Sequence, residues 1–320
     1  MGFLLLVVSA LLGITLGTTS LSISEIVESF KNGFSTAGGK IFLYVRLPRT
    51  AASLICGSAL AVSGAVIQGV LANRLASPSI IGVNSGAGLA VTLCTALGIY
   101  GGLRLSLFAF LGAFTAVMAV SLLARRIGAS RGTLILLGVA VNSLLNALSD
   151  SVVTFIPEVG VMSNDFKVGE FSSVTYSRLL PAAVLISLSI IILFTLTNEL
   201  DVLTLGEDNA RSLGMNTSLM RTLFLMLAAV LAGCAVSLAG LLSFVGLIVP
   251  HAVRRVAGSK ASRLLPLSAI FGGAFVCLCD TGARTLFSPY EIPVGIIMAF
   301  LGAPFFVFIL IKGKGGHTLA

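Results

Sequence analysis

The chain has 320 residues, 57% of them hydrophobic and only 10% charged, with a mean hydropathy of +1.08. Soluble domains carry roughly 25% charged residues, so these numbers exclude a water-soluble globule. The net charge of +8 is then a matter of membrane topology rather than of nucleic-acid binding.

Apolar runs near the length needed to cross a bilayer, about 20 residues, recur from end to end and predict ten membrane spans. The first covers residues 2–18; with no basic flank and no small-residue cleavage site it reads as a membrane helix rather than a signal peptide. An amphipathic polar segment, Ser20 to Lys40, then leads to the basic run Arg46-Leu-Pro-Arg49. The second, third and fourth spans are expected over about 50–72, 80–99 and 103–124, and the fifth over about 133–156, beyond Arg125, Arg126 and Arg131. A Ser- and Gly-rich stretch, Glu158 to Arg178, precedes the sixth (179–198). A charged segment from Asn198 to Arg221 precedes the seventh (222–240). The eighth is short (245–256) and ends in Arg254-Arg255; the ninth and tenth cover about 264–284 and 293–311. The whole chain reads as one all-α transmembrane domain, residues 1–320.

With the N-terminus inside, twelve Lys and Arg fall in inner loops and eight in outer ones (Lys31, Lys40, Arg46, Arg49, Arg104, Lys167, Arg178 and Arg284). That is the orientation the positive-inside rule favours, yet eight outer cations need a reason. Glycines at small-xxx-small spacing, such as Gly82 and Gly86, suit close helix packing in lipid. The five cysteines all lie in apolar runs without C-x-x-C spacing and read as small buried hydrophobes. Two histidines, His251 and His317, are too few and too far apart for a metal cluster. No G-x-x-x-x-G-K-[ST] phosphate loop is present, so any ATP must be bound by another chain. Only Asp150 and Asp280 fall inside spans, both near outer helix ends, which is a poor basis for an ion relay.

Six strings, in order along nearly the whole chain, resemble the iron-siderophore, haem and cobalamin ABC permease family (FecCD-type). They are Arg46-Leu-Pro-Arg49-Thr50 with Gly57, Gly64 and Gln68; Asn73-Arg-Leu-Ala-Ser-Pro78 with Gly82 and Gly86; Leu205-Gly206-Glu207-Asp208-Asn-Ala210-Arg211-Ser212-Leu213-Gly214; Gly240 to Arg254 with Gly246, Pro250 and His251; Asp280 to Arg284; and Glu291-Ile-Pro293-Val-Gly295 with Gly302 and Pro304. Two places depart from the family pattern. Arg74 stands where a proline is usual, and Phe166–Phe171 lacks the usual tryptophan.

The resemblance implies a cobalamin-permease-like type II importer bundle of about ten helices in the bacterial cytoplasmic (inner) membrane, with both termini cytoplasmic. It implies a non-enzymatic transport subunit with no cofactor or metal of its own. Its expected partners are two ATPase subunits that bind ATP and Mg, an extracytoplasmic substrate-binding protein, a second permease copy or sister permease, and membrane lipid. The cargo class is a small chelate: ferric siderophore first, with haem, cobalamin or an oxyanion as alternatives. By the same resemblance Arg46, Arg49 and Arg284 dock the binding protein, residues 205–220 couple to the ATPase, and the fifth and tenth helices line the pathway. Plainer readings stand beside these: snorkelling of the arginines to lipid, a polar inner loop at 205–220, and a packing role for His251. Pro250 should bend its helix and free a carbonyl, and Asp280 should pair with Arg284 one turn on. An ion-coupled carrier built on Asp150 or Asp280, or an intramembrane enzyme, would be the rival class.

Overall fold

The computed structural model describes residues 2–17 and 36–314, with side chains as far as residue 307. Among these residues the chain is helical and contains no strand. The helices are α1 (Gly2–Thr15), α2 (Ala37–Val70), α3 (Val83–Ala96), α4 (Gly102–Arg126), α5 (Arg131–Phe155), α6 (Pro157–Met162) and α7 (Asn164–Val168). They continue with α8 (Tyr176–Thr195), α9 (Thr197–Thr204), α10 (Glu207–Ser212), α11 (Thr217–Ala239), α12 (Val245–Ala257), α13 (Ala261–Thr285) and α14 (Val294–Lys314). Six of them (α2, α4, α5, α8, α11 and α13) are long and apolar enough to cross a membrane. Even α8, with 20 residues, reaches about 30 Å at about 1.5 Å per residue.

All ten expected spans are helical, but besides the 14-residue α1 two internal helices are too short to run the full depth. α3 has 14 residues and α12 has 13, about 20 Å each. Both start against the flank of a neighbour rather than at its end. Gly82, just before α3, faces Ala116 in α4, and Phe244, just before α12, faces Gly302 in α14. Gly82 takes φ +107°, a left-handed backbone open to glycine at little cost.

α2 begins well before the predicted residue 50. Thr36 caps its first turn by accepting from Gly39 N–H, and the helix then passes through one π-helical turn, Phe42–Arg46, where Leu47 N–H bonds to Phe42 O. Pro48 explains the turn: proline has no N–H and its ring collides with the carbonyl four residues back, and a widened turn absorbs the mismatch. Arg46 and Arg49 are therefore helical residues inside the bundle, not a loop before it. The remainder of the predicted Ser20–Lys40 segment lies outside the described residues.

α2 is the axis around which α11, α12 and α13 pack. Its small residues allow this: a Cβ on Gly57 would strike the Gly272 carbonyl of α13, and one on Gly64 the Gly246 carbonyl of α12. α3 and α4 meet in the same way through Gly86 and Gly112. Contacts sort the connections onto two ends of the bundle. Arg131 and Arg221 meet Glu207 at one end, and Asp201 accepts from Ala261 N–H there. At the other end Arg284 reaches Gly13, and Arg178 reaches Ser106 and Ser237. The first group holds the residues predicted to be inner and the second those predicted to be outer.

Candidate functional site

Three features concentrate the polar residues of this apolar molecule. The first is the end of the bundle that holds the start of α2 and the end of α13. Arg46, Arg49, Asp280 and Arg284 are 4%, 7%, 1% and 2% exposed. Arg49 grips Asp280 in a fork, Nε at 3.1 and 3.2 Å and Nη2 at 3.0 Å, and its Nη1 reaches Glu291 at 2.8 Å. Arg284 pairs with Asp280 at 3.3 Å and donates to Gly13 O at 2.9 Å; Arg46 donates to Leu16 O. The expected Asp280–Arg284 pair is present, with Arg49 as an additional partner. The expectation that all three arginines stand on the surface is corrected. A buried guanidinium must find carboxylates or carbonyls nearby, and these find them within the chain, tying α1, α2, α13 and the approach to α14 together. Arg178, another of the outer cations, is likewise structural: it donates to Ser106 Oγ, Ser173 O, Ser237 O and Leu238 O, closing the last turn of α11.

The second feature, at the opposite end, is the predicted coupling segment. It divides at two glycines with positive φ, Gly206 (+108°) and Gly214 (+83°). These bracket the single short helix α10, and the second expected piece is the first turn of α11. Ala210 is fully buried and anchors α10, while Leu205 and Leu213 are 59% and 67% exposed. Asp208 and Ser212 lie on the exposed side, where Ser212 Oγ donates to Asp208 O. Glu207 turns inward and is held by Arg211 (3.5 Å), Arg131 (3.9 Å) and Arg221. Arg131 also donates to Leu203 O at 2.7 Å and Arg221 to Ala129 O at 3.3 Å. α10 is thereby clamped to the α4–α5 turn, with the flanking Leu205 and Leu213 offered outward.

The third feature is a groove along α5. Asn142, Asn146, Ser149 and Asp150 recur at helical spacing on one face and share the groove with Ser79, Asn84 and Lys167. Asn142 closes the mid-depth connector between α2 and α3. Its Nδ2 donates to Ser79 O (3.0 Å) and Ile80 O (2.8 Å), and its Oδ1 accepts from Ser85. Irregular backbone inside a membrane protein needs such internal partners.

The remaining predicted residues are framework. Asn73 Oδ1 accepts from Leu75 N–H and shapes the connector, Pro78 packs at Gly246, and Arg74 is exposed. Pro250 frees the Gly246 carbonyl as expected, and Gln68 Nε2 donates to it at 3.0 Å, while Arg254 donates to Gln68 Oε1. His251 lies edge-on to Phe305, ring centroids 6.4 Å apart. Gly240 (φ +73°) turns the chain where Leu241 N–H meets Phe166 O, and just after Pro293 the Gly295 N–H meets Gly169 O. The tryptophan-free Phe166–Phe171 segment thus bridges the α11–α12 link to α14. Gly302 packs on the Phe244 ring, and Pro304 sits exposed within α14. All five cysteines are buried free thiols, and no group of three or more potential metal ligands occurs among the described residues.

Sequence reasoning missed Asn142, Arg178 and the Arg131–Glu207 contact. The signal available for Asn142 was its recurrence with Asn146 and Asp150 on one face of an otherwise apolar helix.

Known proteins share this arrangement over its full length. The chain is 35% identical to the iron-uptake system permease protein FeuB of Bacillus subtilis, covering 97% of this chain and 93% of FeuB. It is also 35% identical to the hemin transport system permease protein HmuU of Yersinia pestis, covering 98% and 96%. Among solved structures, one described as the inward-facing conformation of a metal-chelate type ABC transporter superposes with a TM-score of 0.85 at 32% identity, covering 97% of both chains. The fold alone is shared with PsaBC from Streptococcus pneumoniae, at TM-score 0.62 and 16% identity. The FecCD transport family model matches residues 5–312, and with that match this chain belongs to the FecCD family of iron, siderophore and hemin ABC transporter permeases.

Proposed function

We propose that this chain is the membrane-spanning subunit of a binding-protein-dependent importer that carries ferric siderophores into the cytoplasm. The observation that carries the reading is the polar face of α5. A membrane-crossing helix that leaves Asn146 and Asp150 uncovered by its own fold needs water or a partner against that face. A second permease, copy or sister, facing α5 and α14 across a shared pathway meets that need. The hemin permease is as similar as the iron-uptake one, so haem is the second cargo.

In this mechanism a pair of ATPase subunits, holding ATP and Mg, sits beneath α10. Their closure pushes on the exposed Leu205 and Leu213, and the Glu207 clamp passes the movement to α4, α5 and α11. The pathway opens to one side at a time. The loaded binding protein sits on the opposite end, above Arg46, Arg49 and Arg284. Glu291 is the exposed member of that cluster, and it must yield before a partner's carboxylate can reach Arg49. Both termini of the chain lie in the cytoplasm and the bilayer is the inner membrane.

The test is uptake of a ferric siderophore into proteoliposomes with the ATPase and binding protein present. Uptake should require both, and Glu207→Gln should lower it about tenfold, within the usual range of a coupling energy, while the ATPase still turns over. Uptake driven by an ion gradient without ATP would overturn the importer reading.

A further inference from the structure

At the α10 end, beside the coupling segment, α2, α9, α12 and α13 enclose a cavity of about 260 Å³ that the transport mechanism does not use. Gln68, Arg74, Asp201, Arg254 and Ser259 line it. Two guanidiniums thus line one half-open cavity, and they repel each other. Neither has a carboxylate partner among the described residues. Arg254 donates to the neutral Gln68 Oε1, and Arg74 makes no hydrogen bond or ion pair among the described residues.

The lining also holds one carboxylate, Asp201, which forms an ion pair with neither arginine. Asp201 Oδ1 accepts from Ala261 N–H at 2.8 Å, capping the start of α13. Arg255, Lys260 and Arg263, each exposed and next in sequence to a lining residue, add further positive charge. This contrasts with the other two arginine groups of the molecule. At the far end Arg49 and Arg284 have Asp280, and under α10 Arg131, Arg211 and Arg221 have Glu207. Here the lining sets two cations against one carboxylate that neither of them contacts.

We propose that this cavity binds a phosphate group, with Arg74 and Arg254 as its ligands. A guanidinium fork matches two phosphate oxygens at once. The Ser259 hydroxyl supplies a further donor from the rim. The phosphate belongs either to an anionic lipid headgroup or to a soluble phosphate, and both sources reach a site at a membrane boundary. Because Arg74 sits on the α2–α3 connector and Arg254 on α12, an occupant would link these two elements.

The experiment uses the full chain purified in detergent. Native mass spectrometry compares retention of phosphatidylglycerol with phosphatidylcholine, and thermal melting compares inorganic phosphate with chloride at equal ionic strength. Arg74→Gln changes an exposed, uncontacted side chain, so the variant should fold. It should lose about fivefold of the wild-type preference, the factor expected for one basic residue facing an anionic group. Arg255→Gln, on the same rim but outside the cavity, should not. Loss confined to lipid retention identifies a headgroup, and loss confined to phosphate-dependent melting identifies a soluble ligand. An equal loss in both variants, meaning an unspecific basic rim, or no loss in Arg74→Gln, overturns the proposal. So does binding that survives only with added acidic peptide.

Discussion

α2 and α5 are both long, apolar, membrane-length helices, yet the protein treats them in opposite ways. In α2, 78% of the residues in the most apolar stretch are buried, against 17% in α5. Apolarity does not make the difference, since lipid and protein interior are both apolar. Side-chain size does. α2 carries Gly57, Ala61, Gly64 and Ala65 where neighbours press against it, whereas α5 carries large residues outward, with Leu136 and Leu144 70% and 60% exposed. A helix built of small residues is designed to be surrounded by its own chain. A helix with exposed leucines beside a polar stripe is designed to meet lipid on one side and something wet on the other.

The comparison is broken most severely at the charged end of α2. Asp280→Ala removes the carboxylate shared by Arg49 and Arg284, leaving two cations buried. Loss of one partner from a buried ion pair costs about 3–5 kcal/mol, so the variant should accumulate poorly and melt far below wild type in detergent. A wild-type melting profile would mean that the arginines find water or other partners. Next in size is Gly64→Val. Its branched side chain has to enter where α2 meets the Gly246 carbonyl, and overpacking of this kind costs about 3 kcal/mol. A matched change on α5, Val139→Ala at a position 49% exposed, should stay within about 0.5 kcal/mol. Equal effects from the two would erase the distinction drawn between the helices.

How much of this the sequence discloses depends on the distance over which each interaction acts. Hydropathy located every span, and the spacing of Asp280 and Arg284 disclosed their pairing because both lie on one helix turn. The same carboxylate's bond to Arg49 joins residues 231 apart, and no periodicity reports such a contact; the arginines therefore read as surface groups. The start of α2 was lost because Thr36, Gly38, Gly39 and Lys40 look like loop residues, and only the structure reveals the cap and the π turn that let the helix pass Pro48. Pro250 was legible in part: the freed carbonyl follows from proline chemistry, but its donor, Gln68, lies 178 residues away. In the predicted coupling segment the break at Gly214 was visible, and the one at Gly206 and the arginine clamp on Glu207 were not.

Asn142 tests where the two kinds of helix meet, because it belongs to α5 but serves the connector leaving α2. Asn142→Ala removes the donor to the exposed Ser79 and part-buried Ile80 carbonyls, at a cost of about 1 kcal/mol. Amide exchange at residues 76–82 should speed up while exchange in α11 stays unchanged. Uniform destabilisation across both would mean that the side chain is ordinary core.

The smallest expected effect on stability is also the sharpest for function. Asn146 is exposed and makes no hydrogen bond within the described chain, yet it shares its face with Asn142 and Asp150. If that face met lipid, Asn146→Leu would remove a polar group from hydrocarbon and raise the melting temperature with uptake unaffected. A face that borders the pathway predicts the reverse. Stability should stay within about 0.5 kcal/mol of wild type, and siderophore uptake by the reconstituted importer should fall severalfold as a leucine narrows and dries the groove. Asn146→Ser, which replaces the amide with a hydroxyl and shortens the side chain, should restore most of the uptake. That outcome would make polarity rather than shape the property of α5 that governs uptake, and would assign its polar stripe to the pathway.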